Sequence, residues 1–187
     1  MKDINEKILY LRSYFSQNGL LLCGENKDLP SIYTVGGDWN SIISLIEEGE
    51  IFYSKLYKGR VSYLSRDLYY QIKPYKQRTK SLSDKSKEIL AFIEEVDSAT
   101  TKEIKSILNI SSAKEFNCYM DELFKELLIT AIQRDKTMNV NWSSFRWGLF
   151  SCWEQLNPHA GVIPDPEQIK KMLSAIMTDK QIESILK

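Results

Sequence analysis

Apolar residues recur along the chain at helical and at alternating spacing, and the order of these patterns predicts its elements. In residues 83–140, the stretch KSKEILAFIEEV carries its apolar positions on one helical face. A turn over Ser98 to Thr101 and two further helices, TKEIKSILN and AKEFNCYMDELFKELL, are expected next, with Thr101 capping the first of them. In LITAIQRDKTMNVNW, two apolar arms flank a polar wing turn at residues 134–136. Three helices followed by a hairpin are typical of a winged helix, a fold often found on nucleic acid.

The first 75 residues follow a similar order in a less regular form. A helix over INEKILYLRSYFSQNG is expected to end at Gly19, the strand LLLC follows, and Asp38 caps the helix DWNSIISLIEEG. The arms EIFYSKLY and RVSYLS flank a Lys58-Gly59 turn and predict a hairpin, and RDLYYQIKP predicts a short closing helix. One of the helices expected in a winged helix is short or missing here. The alternative interpretation of this half is therefore a small α+β cap packed on the central module.

Aromatic residues in NWSSFRWGLFSCWEQL recur at helical spacing, which favours a core helix after the wing. Two short helices, EQIKKMLSAIM and DKQIESILK, complete the chain. We therefore predict an α+β protein of winged helix-turn-helix class with two tandem winged-helix-like units and a C-terminal helical tail. The predicted divisions are 1–75, 83–141 and 142–187.

Charge is distributed unevenly, although the 187-residue chain has no net charge. Residues 55–87 contain ten bases and two acids, and six of the ten tyrosines lie in or beside this block. Bases interleaved with aromatic residues suit a phosphate backbone and unstacked bases. The alternative interpretation of this block is a solvated hairpin edge followed by a charged linker, with the tyrosines packed on its inner side. The predicted DNA-binding residues are Lys55, Lys58, Arg60, Lys73, Lys76, Arg78 and Lys80.

The third predicted helix of the central module is a poor match for a DNA groove. Its outward positions carry four acids and two bases, and these acids would repel phosphates. Contact with DNA would then fall to the first hairpin and the linker, or the central module would bind a protein partner instead.

Motifs for other chemistry are missing from the sequence. The three cysteines are far apart and lack metal-ligand spacing, and the one histidine, His159, lies in a predicted loop. Since no phosphate-binding glycine loop is present either, we expect no metal and no cofactor. Charged residues follow Met1 and no apolar run approaches about 20 residues, so we expect a cytoplasmic protein that does not enter a membrane.

Four stretches together resemble a known family: GDWNSIISLIEEGEIFYSKLYKG, LYYQIKPYKQR, LSDKSKEILAFIEE and NVNWSSFRWG. They are similar to the winged-helix bacterial alkylpurine DNA glycosylases, specifically their short AlkZ-related relatives, over roughly residues 37–148. The resemblance implies tandem winged-helix units with a concave DNA-binding face. It also implies a Gln-x-Gln or Gln-x-Asp motif in active members, and only Gln133-Arg134-Asp135 has that spacing here. Gln133 and Asp135 are thus the catalytic candidates, although a chance polar turn explains them better.

The sequence as a whole favours a DNA-binding protein that contacts the backbone without sequence preference and has no evident catalytic site. Two alternatives stay open. One is a protein-protein interaction module built on a winged helix, and the other is a DNA glycosylase that acts on alkylated bases.

Overall fold

Two small antiparallel sheets, each flanked by helices, form the framework of the protein. The structure is a computed structural model, and it describes residues 3–77, 81–139, 142–159 and 162–187. The mixed α+β class predicted from the sequence is therefore confirmed at this level. No helix in the described ranges has the length and apolar character needed to cross a membrane.

The N-terminal half contains the first sheet and its helices. Its elements are α1 (Ile4–Asn18), β1 (Leu20–Leu22), α2 (Trp39–Glu47), β2 (Ile51–Tyr57), β3 (Arg60–Ser65) and α3 (Arg66–Ile72), followed by a short 3-10 turn at Lys73–Tyr75. The strands pair in the order β1-β3-β2, and both pairings are antiparallel.

Local sequence signals fix the boundaries of these elements. Gly19 ends α1 in the left-handed region at φ 70°, where glycine carries no steric penalty. Asp38 caps α2 by accepting a hydrogen bond from the Ser41 amide, and the Ser41 hydroxyl completes a capping box. Lys58 and Gly59 both have positive φ, which is the backbone of a tight hairpin turn between β2 and β3. The predicted helices and hairpin of this half are confirmed.

The central part of the chain forms the second sheet. Its elements are α4 (Asp84–Val96), β4 (Ser98–Thr100), α5 (Thr101–Ile107), α6 (Ala113–Lys125), β5 (Ile129–Asn139) and β6 (Trp142–Leu149). Its strand order is β4-β6-β5, again antiparallel. The two sheets thus share one arrangement, in which the short first strand pairs with the last strand of a hairpin.

Two predictions about the turns of this part are wrong. The segment predicted as a turn over Ser98 to Thr101 forms strand β4, which pairs with the end of β6. Thr100 rather than Thr101 caps α5, because its side chain accepts a hydrogen bond from the Glu103 amide and its own amide donates to the Glu103 carboxylate.

The predicted wing turn at residues 134–136 is also wrong. Arg134 pairs with Phe145 and Lys136 pairs with Ser144, so these polar residues lie within β5. The pairing of β5 with β6 continues to Asn139 and Trp142. Polar side chains are tolerated here because the outer part of β5 is exposed to solvent.

The helix predicted at the start of the tail begins later than expected. Residues 142–149 form β6, in which Ser143, Phe145 and Trp147 are buried at a spacing of two. The tail helices are α7 (Phe150–Leu156), α8 (Pro166–Leu173) and α9 (Asp179–Leu186). The predicted boundary at residues 141 and 142 thus falls between two paired strands, and the division into three units stays a prediction.

The core is continuous through the first sheet. Leu21 and Tyr53 on one face pack with residues of the second sheet and its helices. Leu20 and Phe52 on the opposite face pack with the tail. The tail residues in that second cluster are Trp153, Ile169, Leu173, Met177, Ile182 and Ile185. The first sheet is therefore buried on both faces, which explains why LLL is apolar throughout.

Candidate functional site

Two of the predicted DNA-binding lysines are held inside the fold by carboxylates. The Lys55 ammonium lies 2.5 Å from Asp121 of α6, and the Lys73 ammonium lies 2.5 Å from Glu154 of α7. Both lysine side chains are less than a third exposed, and Lys55 also lies over the Phe124 ring. These pairs join β2 to α6 and the 3-10 turn to α7, so their charge is balanced within the protein.

The turn between β2 and β3 carries exposed positive charge. Lys58 is 57% exposed and pairs with Asp28, which is also largely exposed. Arg60 is exposed, and its guanidinium group forms no hydrogen bond or ion pair with any residue that the structure describes. Lys125, from the last turn of α6, brings its Cε to 4.0 Å from the position that a β-carbon on Gly59 would take. We call Lys58, Arg60 and Lys125 the basic turn.

The ion pair between Lys58 and Asp28 at the basic turn is exposed to solvent. The hydrogen bond from Lys58, followed by one from Tyr57, holds the pKa of Asp28 below its usual value. The same bond raises the pKa of Lys58, so this side chain stays charged. Because both partners are exposed, solvent and salt weaken the pair.

The remaining predicted bases follow α3. Lys76 is half-buried, and Arg78 and Lys80 lie outside the residues that the structure describes. The Gln77 amide donates to the Glu126 carbonyl at the end of α6. The linker therefore reaches the same end of α6 as the basic turn.

The acids of α6 are less available to repel DNA than the sequence suggests. Asp121 pairs with Lys55, and the Glu122 carboxylate accepts bonds from the Ser83 amide, the Ser83 hydroxyl and the Ser86 hydroxyl. Burial raises the pKa of Glu122, but these hydrogen bonds outweigh it and the net pKa lies below its usual value. Two of the four acids are thus committed to internal contacts.

The tyrosines near the basic block are not a stacking surface. Tyr53, Tyr57, Tyr63 and Tyr69 are buried, and Tyr70 and Tyr75 are half-buried. Four of the six tyrosines in or beside the basic block are thus packed inside the protein, as the alternative interpretation of this block expects.

Aromatic surface is instead gathered in a cavity of about 430 Å³ at the junction of the two sheets. Its walls come from α2, β2, β3, α5, α6 and β6. The aromatic residues that line it are Trp39, Tyr53, Phe116, Phe124, Trp142, Phe145 and Trp147. We call it the aromatic cavity.

Stacking arranges the rings of the aromatic cavity in a definite way. Trp39 and Trp142 are nearly parallel at 14°, with centroids 5.7 Å apart. Trp147 packs against Phe145 at 5.5 Å and edge-on to Phe124 at 5.0 Å. Trp39 is buried, whereas Trp142 is 52% exposed, so an aromatic face remains accessible at the mouth of the cavity.

Hydroxyl and amide groups line the same cavity. The Trp39 indole donates to the Ser143 hydroxyl at 3.2 Å, and the Trp147 indole donates to the Thr101 hydroxyl at 3.1 Å. Each hydroxyl keeps its own hydrogen for a further partner. The Asn117 side chain is exposed and makes no hydrogen bond within the described ranges. The cavity thus combines flat apolar walls with unused donors and acceptors.

The Cys23 thiol, which also lines the aromatic cavity, is not a reactive group. Burial raises the pKa of this thiol. The thiol therefore stays protonated at neutral pH and is a poor nucleophile or metal ligand. Among the residues that the structure describes, no three His, Cys, Asp or Glu side chains come together as a metal site.

The two catalytic candidates lie on β5 and do not form a shared pocket. Gln133 is exposed beside Ile132 and Cys152, in a shallow depression away from the aromatic cavity. The Asp135 carboxylate accepts a bond from the Ser144 hydroxyl at 2.9 Å. Both residues are exposed to solvent.

Sequence reasoning missed Lys125 and the aromatic cavity. Lys125 was counted among the outward residues of an acidic helix, and the aromatic residues after the wing were assigned to a helix in the core. The half-exposed Trp142 gives no separate signal in the sequence, because its exposure depends on the second sheet.

Comparison with known proteins gives one match. The model of a family described as AlkZ related matches residues 33–187 of the chain. This match extends beyond the four stretches that carry the resemblance and includes the tail up to residue 187. No curated protein and no solved structure matches the chain.

Proposed function

Because the chain belongs to the AlkZ-related family, we propose that it binds DNA as a tandem winged-helix protein without catalysis. The family relates it to DNA glycosylase-like proteins. The observation that carries the proposal is the repeated sheet order, β1-β3-β2 and β4-β6-β5, with a helix before each sheet and a hairpin at its end. Residues 84–149 follow the helix, strand, helix, helix, hairpin order of winged-helix modules on nucleic acid.

The basic turn is the part of the surface that we assign to the DNA backbone. Its charges come from two elements, the β2–β3 turn and the end of α6, and none of them belongs to a buried ion pair. Lys55 and Lys73 of the original prediction contribute less, because internal carboxylates balance them. Lys76, Arg78 and Lys80 remain proposed contacts because the linker leads from this end of α6.

The alternatives lose part of their support. The protein-interaction module was favoured by the acids on α6, and two of these are used inside the fold. The glycosylase alternative depends on Gln133 and Asp135, which lie on an exposed stretch of β5 without a common pocket.

Fluorescence anisotropy of a labelled DNA duplex over a salt series tests the proposal. The three contacts of the basic turn alone predict a log–log slope of about −2.7, and each linker base that also contacts a phosphate adds about −0.9 to it. We expect a Kd of roughly 10⁻⁴–10⁻⁶ M at physiological salt. Changing Lys58→Glu and Arg60→Glu together removes two contacts and flattens the slope by about 1.8.

A matched variant controls for net charge. Lys171→Glu with Lys180→Glu makes the same charge change at exposed positions on α8 and α9, and it is expected to leave most of the slope in place. Absence of duplex binding at low salt would refute the proposed function. Equal slopes for the two double variants would refute the basic turn as its site.

A further inference from the structure

A chain of hydrogen bonds joins the C-terminal tail to the basic turn. The Gln181 side-chain amide on α9 donates to the Tyr57 hydroxyl at 2.9 Å, and this hydroxyl donates to the Asp28 carboxylate at 3.1 Å. Lys58 donates to the same carboxylate oxygen at 2.7 Å. We infer that Asp28 is a built-in competitor of the DNA phosphate, which occupies Lys58 in the free protein and lowers the affinity of the basic turn. This inference rests on the proposed function and adds an affinity-setting residue to it.

The loop that carries Asp28 holds its backbone in place. The Asn26 side-chain oxygen accepts from the amides of Asp28 and Leu29 at 2.7 and 2.9 Å, and the Asn26 side-chain nitrogen donates to the Leu29 carbonyl at 3.1 Å. Leu29 is buried in the cluster that the first sheet forms with the tail. Because the loop is anchored in this way, Asp28 loses less conformational entropy on pairing with Lys58 than a carboxylate on a mobile loop would lose.

The tail sets the direction in which the Tyr57 hydroxyl donates. The Gln181 side-chain oxygen accepts from the Thr178 amide at the start of α9, so its nitrogen is the atom that faces Tyr57. Since the Tyr57 hydroxyl accepts from this nitrogen, its own hydrogen is available to Asp28. The Tyr57 ring is fully buried, so the hydroxyl stays in place. Tyr57 and Gln181 are therefore positioning residues for the Asp28 carboxylate.

Lys58 is held against the protein by the same group of residues. Its ammonium lies 5.0 Å from the centroid of the Tyr57 ring while it bonds to Asp28. A phosphate that contacts Lys58 must displace this carboxylate or lie beside it, and two anions at one ammonium repel each other. The Arg60 guanidinium has no carboxylate partner among the residues that the structure describes. The competition thus acts on one of the bases of the basic turn.

Fluorescence anisotropy of a labelled DNA duplex at one salt concentration tests the inference. Asp28→Asn keeps the shape of the side chain and removes its charge, so it should raise the affinity about 1.5- to 5-fold, the range that an exposed ion pair supplies. Glu94→Gln is the matched control, because it makes the same change of net charge at an exposed position on α4. The difference between the two variants measures the local effect of the carboxylate, and Asp28→Asn should bind the duplex more tightly.

Two double variants test how the effect reaches the DNA. Lys58→Gln removes the ammonium that Asp28 occupies, so Asp28→Asn should lose most of its gain in that background. Tyr57→Phe removes the hydroxyl and keeps the ring. It should raise the affinity less than Asp28→Asn does, and it should have no effect in the Asp28→Asn background. An effect of Tyr57→Phe that persists in that background would overturn the positioning role of Tyr57.

The outcomes separate the inference from the proposed function. If the wild-type protein binds the duplex and Asp28→Asn binds no more tightly than Glu94→Gln, the inference is overturned and the proposed function stands. Binding by Asp28→Asn alone would support the competition, although the wild-type protein would then not bind DNA as proposed. Absence of binding by the wild-type protein and by both variants would overturn the two together.

Discussion

Thr130→Val tests whether the two sheets form one folding unit. Thr130 is fully buried on β5, and its hydroxyl accepts a hydrogen bond from the Tyr53 amide of β2 at 2.9 Å. Valine has nearly the same shape, so the change removes the acceptor and leaves a buried N–H without a partner. The cost of such a group is about 1–3 kcal/mol. For a chain of this size, each kcal/mol lowers Tm by roughly 2–4 °C.

The assay is urea unfolding followed by circular dichroism and by tryptophan fluorescence, which report on helices and on the packing around the indoles. We expect one coincident transition with a lower midpoint. Thr137→Val is the matched control, because Thr137 is exposed on the same strand and should change stability by less than about 0.5 kcal/mol. Equal effects of the two variants, or two separate transitions, would show that the sheets do not depend on one another through this bond.

Two further tests, made with three substitutions, concern electrostatics and catalysis. Because the pKa of Glu122 in the folded protein lies below its usual value, its stabilising effect is present above about pH 4.3 and is lost as pH falls through the folded pKa. Glu122→Gln should therefore cost about 1–2 kcal/mol in urea unfolding at pH 7 and much less at pH 3, and an unchanged gap would contradict this. Gln133→Ala and Asp135→Asn should alter neither stability nor release of bases from alkylated DNA; loss of a measurable wild-type activity in either variant would restore the enzymatic alternative.

Short sequence signals are sufficient to predict those parts of the structure that depend on hydrogen bonds between residues close in the sequence. Asp38 and Ser83 each bond to an amide three residues ahead, so the starts of α2 and α4 can be predicted from short segments. The Lys58-Gly59 turn likewise depends on two residues that adopt positive φ. Prediction and structure agree on the cap of α2 and on the hairpin turn, whereas α4 begins at Asp84, one residue before its predicted start.

The spacing of apolar residues predicts the wrong element where one strand passes through two different environments. Trp142, Phe145 and Leu149 have a helix-like spacing, but Ser143, Phe145 and Trp147 are the residues that are buried, and their spacing is that of a strand. The outer half of β5 is polar because it extends beyond the core, and its charges therefore looked like a turn. Only pairing between β5 and β6 distinguishes these cases, and pairing is a tertiary property.

The same limit applies to the charged residues of the candidate site, because the sequence does not show which of them are buried. Lys55 and Lys58 are three residues apart and look equivalent in the sequence, yet one is half-buried against Asp121 and the other is exposed at a turn. Lys125 joins the turn from a helix that is distant in the sequence. A count of bases locates the charged block in the sequence but cannot say which of its members remain exposed in the fold.

The junction of the two sheets gives the protein a feature that neither sheet has alone. The aromatic cavity takes Trp39 and Tyr53 from the first half and Phe116, Trp142 and Trp147 from the second. Its shape therefore depends on contacts that join the halves, such as the Trp39 indole to the Ser143 hydroxyl and the Tyr53 amide to Thr130.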